Sequence, residues 1–237
     1  MNIFCLGCSW TAGLGVKEHE SYPAHLQNLI NVDVYNAGYP GADISHAIWT
    51  GYRIIQEYND CHILLLQLST LDRYTFVSDG RNNFVNGNYY SGIEPYVYDN
   101  IDIDTTYKRI HNISADFTYS LLTKGQYLKS KDLRCSEKDT MMTYFMENVL
   151  YSDYSTFRLY SYLDMFKTYC DSKNVKLIVF PWLESPTILQ PLMTTTKTIV
   201  ETFGKQNIID NGFHYNSEGL KLIAEEYVYP MIKDYVC

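Results

Sequence analysis

The hydrophobic positions of this chain fall into short continuous runs that alternate with stripes at helical spacing. Ile3 to Leu6 is apolar and stops at Gly7, the form of a buried strand feeding a turn, and a loop is expected directly after it. Ser21-Tyr22-Pro23 opens a segment in which Leu26, Leu29 and Ile30 recur at helical spacing, with proline where a first helical turn tolerates it. A second strand is predicted over 32–35, a Gly/Pro loop over 36–41, and a second helix on the stripe Ile44, Ala47, Ile48, Gly51 and Ile55. The run over 63–68 is nearly unbroken, as expected of a central parallel strand covered on both faces.

Between Tyr74 and about Cys135 the rhythm breaks. Asp79-Gly80, Asn86-Gly87 and Ser91-Gly92 punctuate Tyr- and Asn-rich stretches of the kind that form hairpins or irregular loops, so this segment reads as an insertion. Helical patterning returns over 138–169 in two pieces, and a buried strand over 175–180 ends at Pro181. A helix over 187–203, a short strand over 207–209 and a closing helix over 217–235 follow. The alternation predicts a three-layer α/β/α sandwich around a mostly parallel, flavodoxin-like sheet of about five strands. Residues 1–237 are expected to form one domain, with the insertion at about 74–135 near the mouth of any site at the strand ends.

Composition narrows the function. The 237 residues are 46% hydrophobic and 19% charged, enough for one sizeable core. No run approaches the roughly 18 apolar residues of a membrane span, and Met1-Asn2-Ile3-Phe4 lacks the basic start of a signal peptide, so a cytoplasmic protein without a membrane partner is expected. Nineteen basic against 27 acidic residues give a net charge of -8, which argues against a phosphate-neutralising surface and so against nucleic acid. The six cysteines are scattered over a chain with a normal core, a pattern of reduced thiols rather than of disulfide staples. Tyrosine is abundant, at 23, but a chain also rich in Asn, Ile and Lys is what biased base composition alone produces.

Two short segments carry candidate chemistry. Gly7-Cys8-Ser9-Trp10-Thr11-Ala12-Gly13 lies at the carboxyl end of the first strand, where open α/β sheets place their ligand sites. A serine there can act as a nucleophile once a base takes its proton. His214, in the turn-rich stretch Asp210-Asn211-Gly212-Phe213-His214-Tyr215-Asn216-Ser217-Glu218-Gly219 before an amphipathic helix, is the candidate base, and Asp210 or Asn211 is near enough to orient its ring. The bland alternatives are a helix-capping serine and a surface-loop histidine.

Taken together these segments resemble the SGNH, or GDSL-type, hydrolase family. Gly7-Cys8-Ser9 fills the Gly-Asp-Ser turn of that family, with Cys8 in place of the Asp and with Thr11 and Gly13 continuing the pattern. Asn36-Ala37-Gly38-Tyr39-Pro40-Gly41 is similar to the block whose glycine N–H binds the oxyanion, which implies Gly38 as a donor. Asn211-Gly212-Phe213-His214, with Gly219, is similar to the Asp-x-x-His block, the aspartate being displaced by one to Asp210. Where the family has Gly-x-Asn after the central strand, this chain has Gln67-Leu68-Ser69-Thr70, so Ser69 stands at the position of the oxyanion-binding Asn. Loss of such a donor costs about a hundred- to a thousand-fold in turnover.

The resemblance implies acyl transfer to Ser9, with His214 as general base and then acid, Asp210 orienting it, and the N–H groups of Ser9 and Gly38 with the Ser69 hydroxyl holding the oxyanion. No metal or organic cofactor is implied. The expected activity is hydrolysis of a short acyl ester, acetyl foremost, on a carbohydrate or small metabolite. An acyltransferase of the same fold and an inactive relative that binds a glycan or partner are the alternatives. Trp10, Trp182, Arg73 and Asn211 are candidate pocket residues, the two tryptophans serving equally well as core and Arg73 as an ion-pair partner. Cys5-Leu6-Gly7-Cys8 has redox-motif spacing but starts inside a buried strand, and His19, His25, His46, His62 and His111 show no metal-like spacing. Nothing in the sequence bears on oligomeric state.

Overall fold

In a computed structural model, residues 1–39, 42–69, 74–78, 108–109, 118–122, 153–183, 185–204, 206–207 and 214–236 are described. The first apolar run forms β1 (Asn2–Gly7). The chain continues through a single helical turn α1 (Ser9–Ala12), helix α2 (Tyr22–Leu29), β2 (Asp33–Gly38), α3 (Ile44–Glu57) and β3 (Cys61–Leu68). Short strands β4 (Tyr74–Ser78), β5 (Lys108–Arg109) and β6 (Thr118–Leu122) follow, then α4 (Asp153–Ser172), β7 (Lys176–Pro181), α5 (Ile199–Phe203), α6 (Ser217–Leu222) and α7 (Tyr229–Val236).

Five strands build an all-parallel sheet in the order β5-β2-β1-β3-β7, in which β5 is a two-residue pairing beside Tyr35 and Asn36. Side chains alternate across it with period two. Ile3 and Cys5 of β1, Ile63 and Leu65 of β3, and Ile178 and Phe180 of β7 enter one core with α2, α5 and the C-terminal helix. Phe4 and Leu6, Leu64, Leu66 and Leu68, and Val179 enter a second core with α3 and α4. Both faces are thus covered, which explains why the strands read as continuous apolar runs and not as alternating ones. The fold is the expected three-layer α/β/α sandwich.

Several local expectations are corrected. The segment after β1 is not simply a loop: it closes the turn α1, which Gly13 ends at φ 78° in the left-handed region, its N–H returning to the Ser9 carbonyl. The helix expected over 187–203 is two pieces, a 3₁₀ stretch Thr187–Leu192 containing Pro191, and α5, which restarts at a Thr198/Glu201 capping box. Between them Thr194 seals the β7 edge: its N–H donates to the Val179 carbonyl at 2.8 Å, and its Oγ1 accepts from the Val179 N–H at 3.0 Å. Asn207 sits in a turn, and the rest of the strand expected over 207–209 lies outside the described residues.

Of the insertion, β4 and β6 pair antiparallel and β5 joins the sheet edge, while 79–107, 110–117 and 123–135 lie outside the described residues, as do 138–152 of the helical stretch. The closing helix is continuous from Ser217 to Val236 through a π-helical stretch, Ile223–Val228, directly before Pro230. Proline there has no N–H to return and crowds the carbonyl four residues back, which a wider turn relieves. Among the described residues no helix is long and apolar enough to cross a membrane.

Candidate active site

Strand β1 delivers Ser9 to the carboxyl edge of the sheet. The helix N-cap there is Cys8, with extended backbone and no side-chain cap bond, so Ser9 is not a capping serine. Its hydroxyl instead meets His214, with Nε2 2.9 Å from Ser9 Oγ across 205 residues of sequence. With Nε2 unprotonated, the hydroxyl donates to it, the geometry a general base needs. Ser9 is 5% exposed and so largely withdrawn from bulk water, while His214 is half-buried.

The residues after His214 fix its place. Tyr215 is buried against Trp182, ring centroids 5.8 Å apart, and its hydroxyl donates to the Gly204 carbonyl. The Asn216 N–H donates to the Asn207 carbonyl at 2.7 Å, and its side chain caps α6 by accepting from the Gly219 N–H at 2.9 Å. A Cβ on Gly219 would meet Asn207 and Tyr215 at 2.7 Å, so only glycine lets the helix start come this close to the loop.

Beneath the serine turn lies a buried amide. Gln67 of β3 accepts at Oε1 from the Cys8 N–H at 3.1 Å, the Thr11 hydroxyl at 3.1 Å and the Cys8 thiol at 3.4 Å, while its Nε2 donates to the Leu68 carbonyl. Gly7 is glycine because a Cβ there would stand 2.5 Å from Gln67 Oε1 and closer still to Thr11 Oγ1. Sequence reasoning passed over Gln67 except as the residue replacing a family glycine. Its signal was one polar residue in the run Ile-Leu-Leu-Leu-Gln-Leu.

Ser69 leaves β3 at the level where Ser9 leaves β1, counting on from the Leu6–Leu66 pairing. It is buried, and among the described residues its Oγ has no hydrogen-bond partner. Gly38 behaves differently: its N–H donates to Asn36 Oδ1 at 2.9 Å, and its missing side chain admits α1, since a Cβ would lie 2.5 Å from the Ala12 nitrogen. Of the three expected oxyanion donors, therefore, Gly38 N–H is already engaged. Ser9 N–H, at the first helical position, has no carbonyl a turn earlier to serve.

Trp10 and Trp182 are both buried and stack on each other, centroids 5.2 Å apart and planes 7° from parallel, and Trp10 lies 6.3 Å from the His214 ring. They form a floor behind the histidine and present almost no surface to a substrate. Asp210, Asn211 and Arg73 lie outside the described residues. Cys5, Cys8, Cys61 and Cys170 are free and buried, and burial pushes the Cys61 and Cys170 thiols up to about 12 and Cys5 higher. His46 is pushed down to about 4 by burial. Among the described residues no group of three or more His, Cys, Asp or Glu is placed to hold a metal ion.

Solved structures bear out the three-layer α/β/α fold. The chain is similar over 99% of its length to 99% of the TesA crystal structure, with 12% identity and a TM-score of 0.53. It is similar over 99% of its length to 97% of the psychrotrophic esterase EstA from Pseudoalteromonas sp., inhibited by monoethylphosphonate, with 10% identity and a TM-score of 0.52. A member of the lipolytic protein G-D-S-L family from Veillonella parvula aligns over 99% of this chain at 16% identity, with a TM-score of 0.36. At these identities the first two likenesses establish a shared fold. No known family profile and no curated protein matches the sequence.

Proposed function

We propose that this chain is a serine ester hydrolase of the SGNH type, which removes a short acyl group, acetyl foremost, from a carbohydrate or small metabolite. The observation that carries this reading is the 2.9 Å contact between Ser9 Oγ and His214 Nε2. Ser9 caps nothing, and the histidine reaches back over 205 residues to meet it.

His214 takes the serine proton as Oγ attacks the ester carbonyl and then gives it to the departing alkoxide. The tetrahedral oxyanion is held by the Ser9 N–H and the Ser69 hydroxyl, and by Gly38 N–H if it exchanges Asn36 for the substrate. Water, activated by the same histidine, then frees the acid. Asp210 is proposed to orient the imidazole, because a carboxylate stabilises the imidazolium that an amide can only hold in place. The engaged Gly38 N–H is the one observation that favours an inactive relative instead.

The deciding experiment is labelling with a fluorophosphonate or sulfonyl fluoride probe, followed by mapping of the modified residue. Stoichiometric modification at Ser9, abolished in Ser9→Ala and His214→Gln, is the expected result. Labelling that survives unchanged in Ser9→Ala sinks the proposal. Product analysis with added alcohols separates hydrolysis from acyl transfer.

A further inference from the structure

We infer that Gln67 is the positioning residue of the nucleophile: its side-chain carbonyl holds the turn that aims Ser9 at His214. An amide in the buried run 63–68, whose other residues are all apolar, is costly to place unless its oxygen and nitrogen are both used. Here the oxygen collects three donors, and the amide nitrogen is spent on the Leu68 carbonyl. That pattern also fixes the amide's orientation, since the flipped form would set an NH₂ group against the Cys8 N–H and the Leu68 carbonyl against an oxygen.

All three donors belong to Cys8 and Thr11, which flank Ser9 on either side. The turn itself is one helical turn long and has no side-chain cap at Cys8. The Cys8 N–H and the Thr11 hydroxyl are therefore tied to a neighbouring strand and not to the turn's own residues. Gly7 completes the fit, because a Cβ there would displace the amide oxygen. A nucleophile held this way loses little freedom on reaction, and a misplacement of about 1 Å costs on the order of a hundred-fold in rate.

The kinetic part of this inference rests on the esterase reading, and the positioning part does not. The test compares wild type with Gln67→Leu, which keeps the bulk and removes the polar atoms, and with Thr11→Val, which removes one donor only. His214 ring resonances are followed by NMR through a pH titration, assigned with His214→Gln, alongside thermal melting and kcat and KM on a short-chain ester. Gln67→Leu is expected to shift the His214 titration to that of Ser9→Ala, and to lower kcat about a hundred-fold with KM little changed; Thr11→Val falls between. Gln67→Glu, whose neutral carboxyl reproduces the amide's acceptor and donor, is expected to regain activity relative to wild type as pH falls.

A folded Gln67→Leu with wild-type His214 titration and kcat overturns the proposal. If Gln67→Leu does not fold, Thr11→Val decides, and a wild-type titration there overturns it equally. Should wild type prove inactive on every ester while the His214 titration still moves in Gln67→Leu, the positioning role stands and the esterase reading falls.

Discussion

Gln67 and Ser69 stand two residues apart at the end of β3, both shut off from solvent, and their polar atoms are treated in opposite ways. The amide is saturated: three donors reach its oxygen and its nitrogen is bonded. The hydroxyl has no hydrogen-bond partner among the described residues. A buried unsatisfied hydroxyl costs roughly 1–3 kcal/mol, a cost that folding alone gives no reason to carry. The proposed function gives the two groups different work: the amide acts in the free protein, and the hydroxyl is proposed to donate to the substrate's oxyanion.

The largest effect asks whether both ends of this contrast serve the same serine. Ser9→Ala is expected to lower ester hydrolysis by on the order of a million-fold and to abolish probe labelling, measured by burst kinetics and mass spectrometry. Retained turnover would disconnect Gln67 and Ser69 from catalysis together. Next in size is the orienting group. Asp210→Asn is expected to cost about ten-thousand-fold in kcat while Asn211→Ala leaves it nearly intact. The reverse outcome would mean a Ser-His-Asn arrangement or a dyad.

Ser69→Ala tests the contrast itself. Removing an oxyanion donor is expected to lower kcat about a hundred-fold, while removing an unpartnered buried hydroxyl raises stability by about 1 kcal/mol in urea unfolding. Gln67→Leu loses both activity and stability. If Ser69→Ala is destabilised, or keeps full kcat, the hydroxyl is not a vacant donor.

The smallest effect lies away from the site. Burial holds His46 at about 4 against 6.5 when unfolded, and burial with nearby Lys221 pushes His25 the same way. Between these values the unfolded chain binds the His46 proton and the folded one does not, so stability rises with pH across this window and is lost on acidification. The loss attributable to His46 is at most about 3 kcal/mol between pH 6.5 and 4. His46→Gln is expected to flatten that slope without changing kcat at neutral pH, a comparison of unfolding midpoints at several pH values.

What the sequence could show follows from the range of each interaction. Apolar runs such as Ile63 to Leu68 report burial on both faces directly, and so β1, β3 and β7 were readable. Ser9 and His214 were readable because each sits in a motif whose local chemistry is distinctive. Gln67 was not, because its role depends on Cys8 and Thr11 meeting it from the turn after β1, and a lone Gln carries no periodic signal. The split of the 187–203 segment turned on Pro191 and on Thr194 pairing with Val179, a tertiary contact that outweighs helical spacing. The edge strand β5, only two residues long, has no pattern to read.

Ser9 and His214 are joined across 205 residues, and His214 is held by Tyr215, Asn216 and the start of the closing helix. During synthesis, then, the serine turn can form against β3 long before His214 exists. The chain passes through a stage in which the sheet's first three strands are made but Ser9 has no histidine to meet, because the residues that carry the imidazole have not left the ribosome. On the proposed function, reactivity toward a serine probe would report the final step of folding, when the closing helix packs onto its face of the sheet, and a ribosome-stalled chain lacking that helix would stay silent however much of the rest had folded.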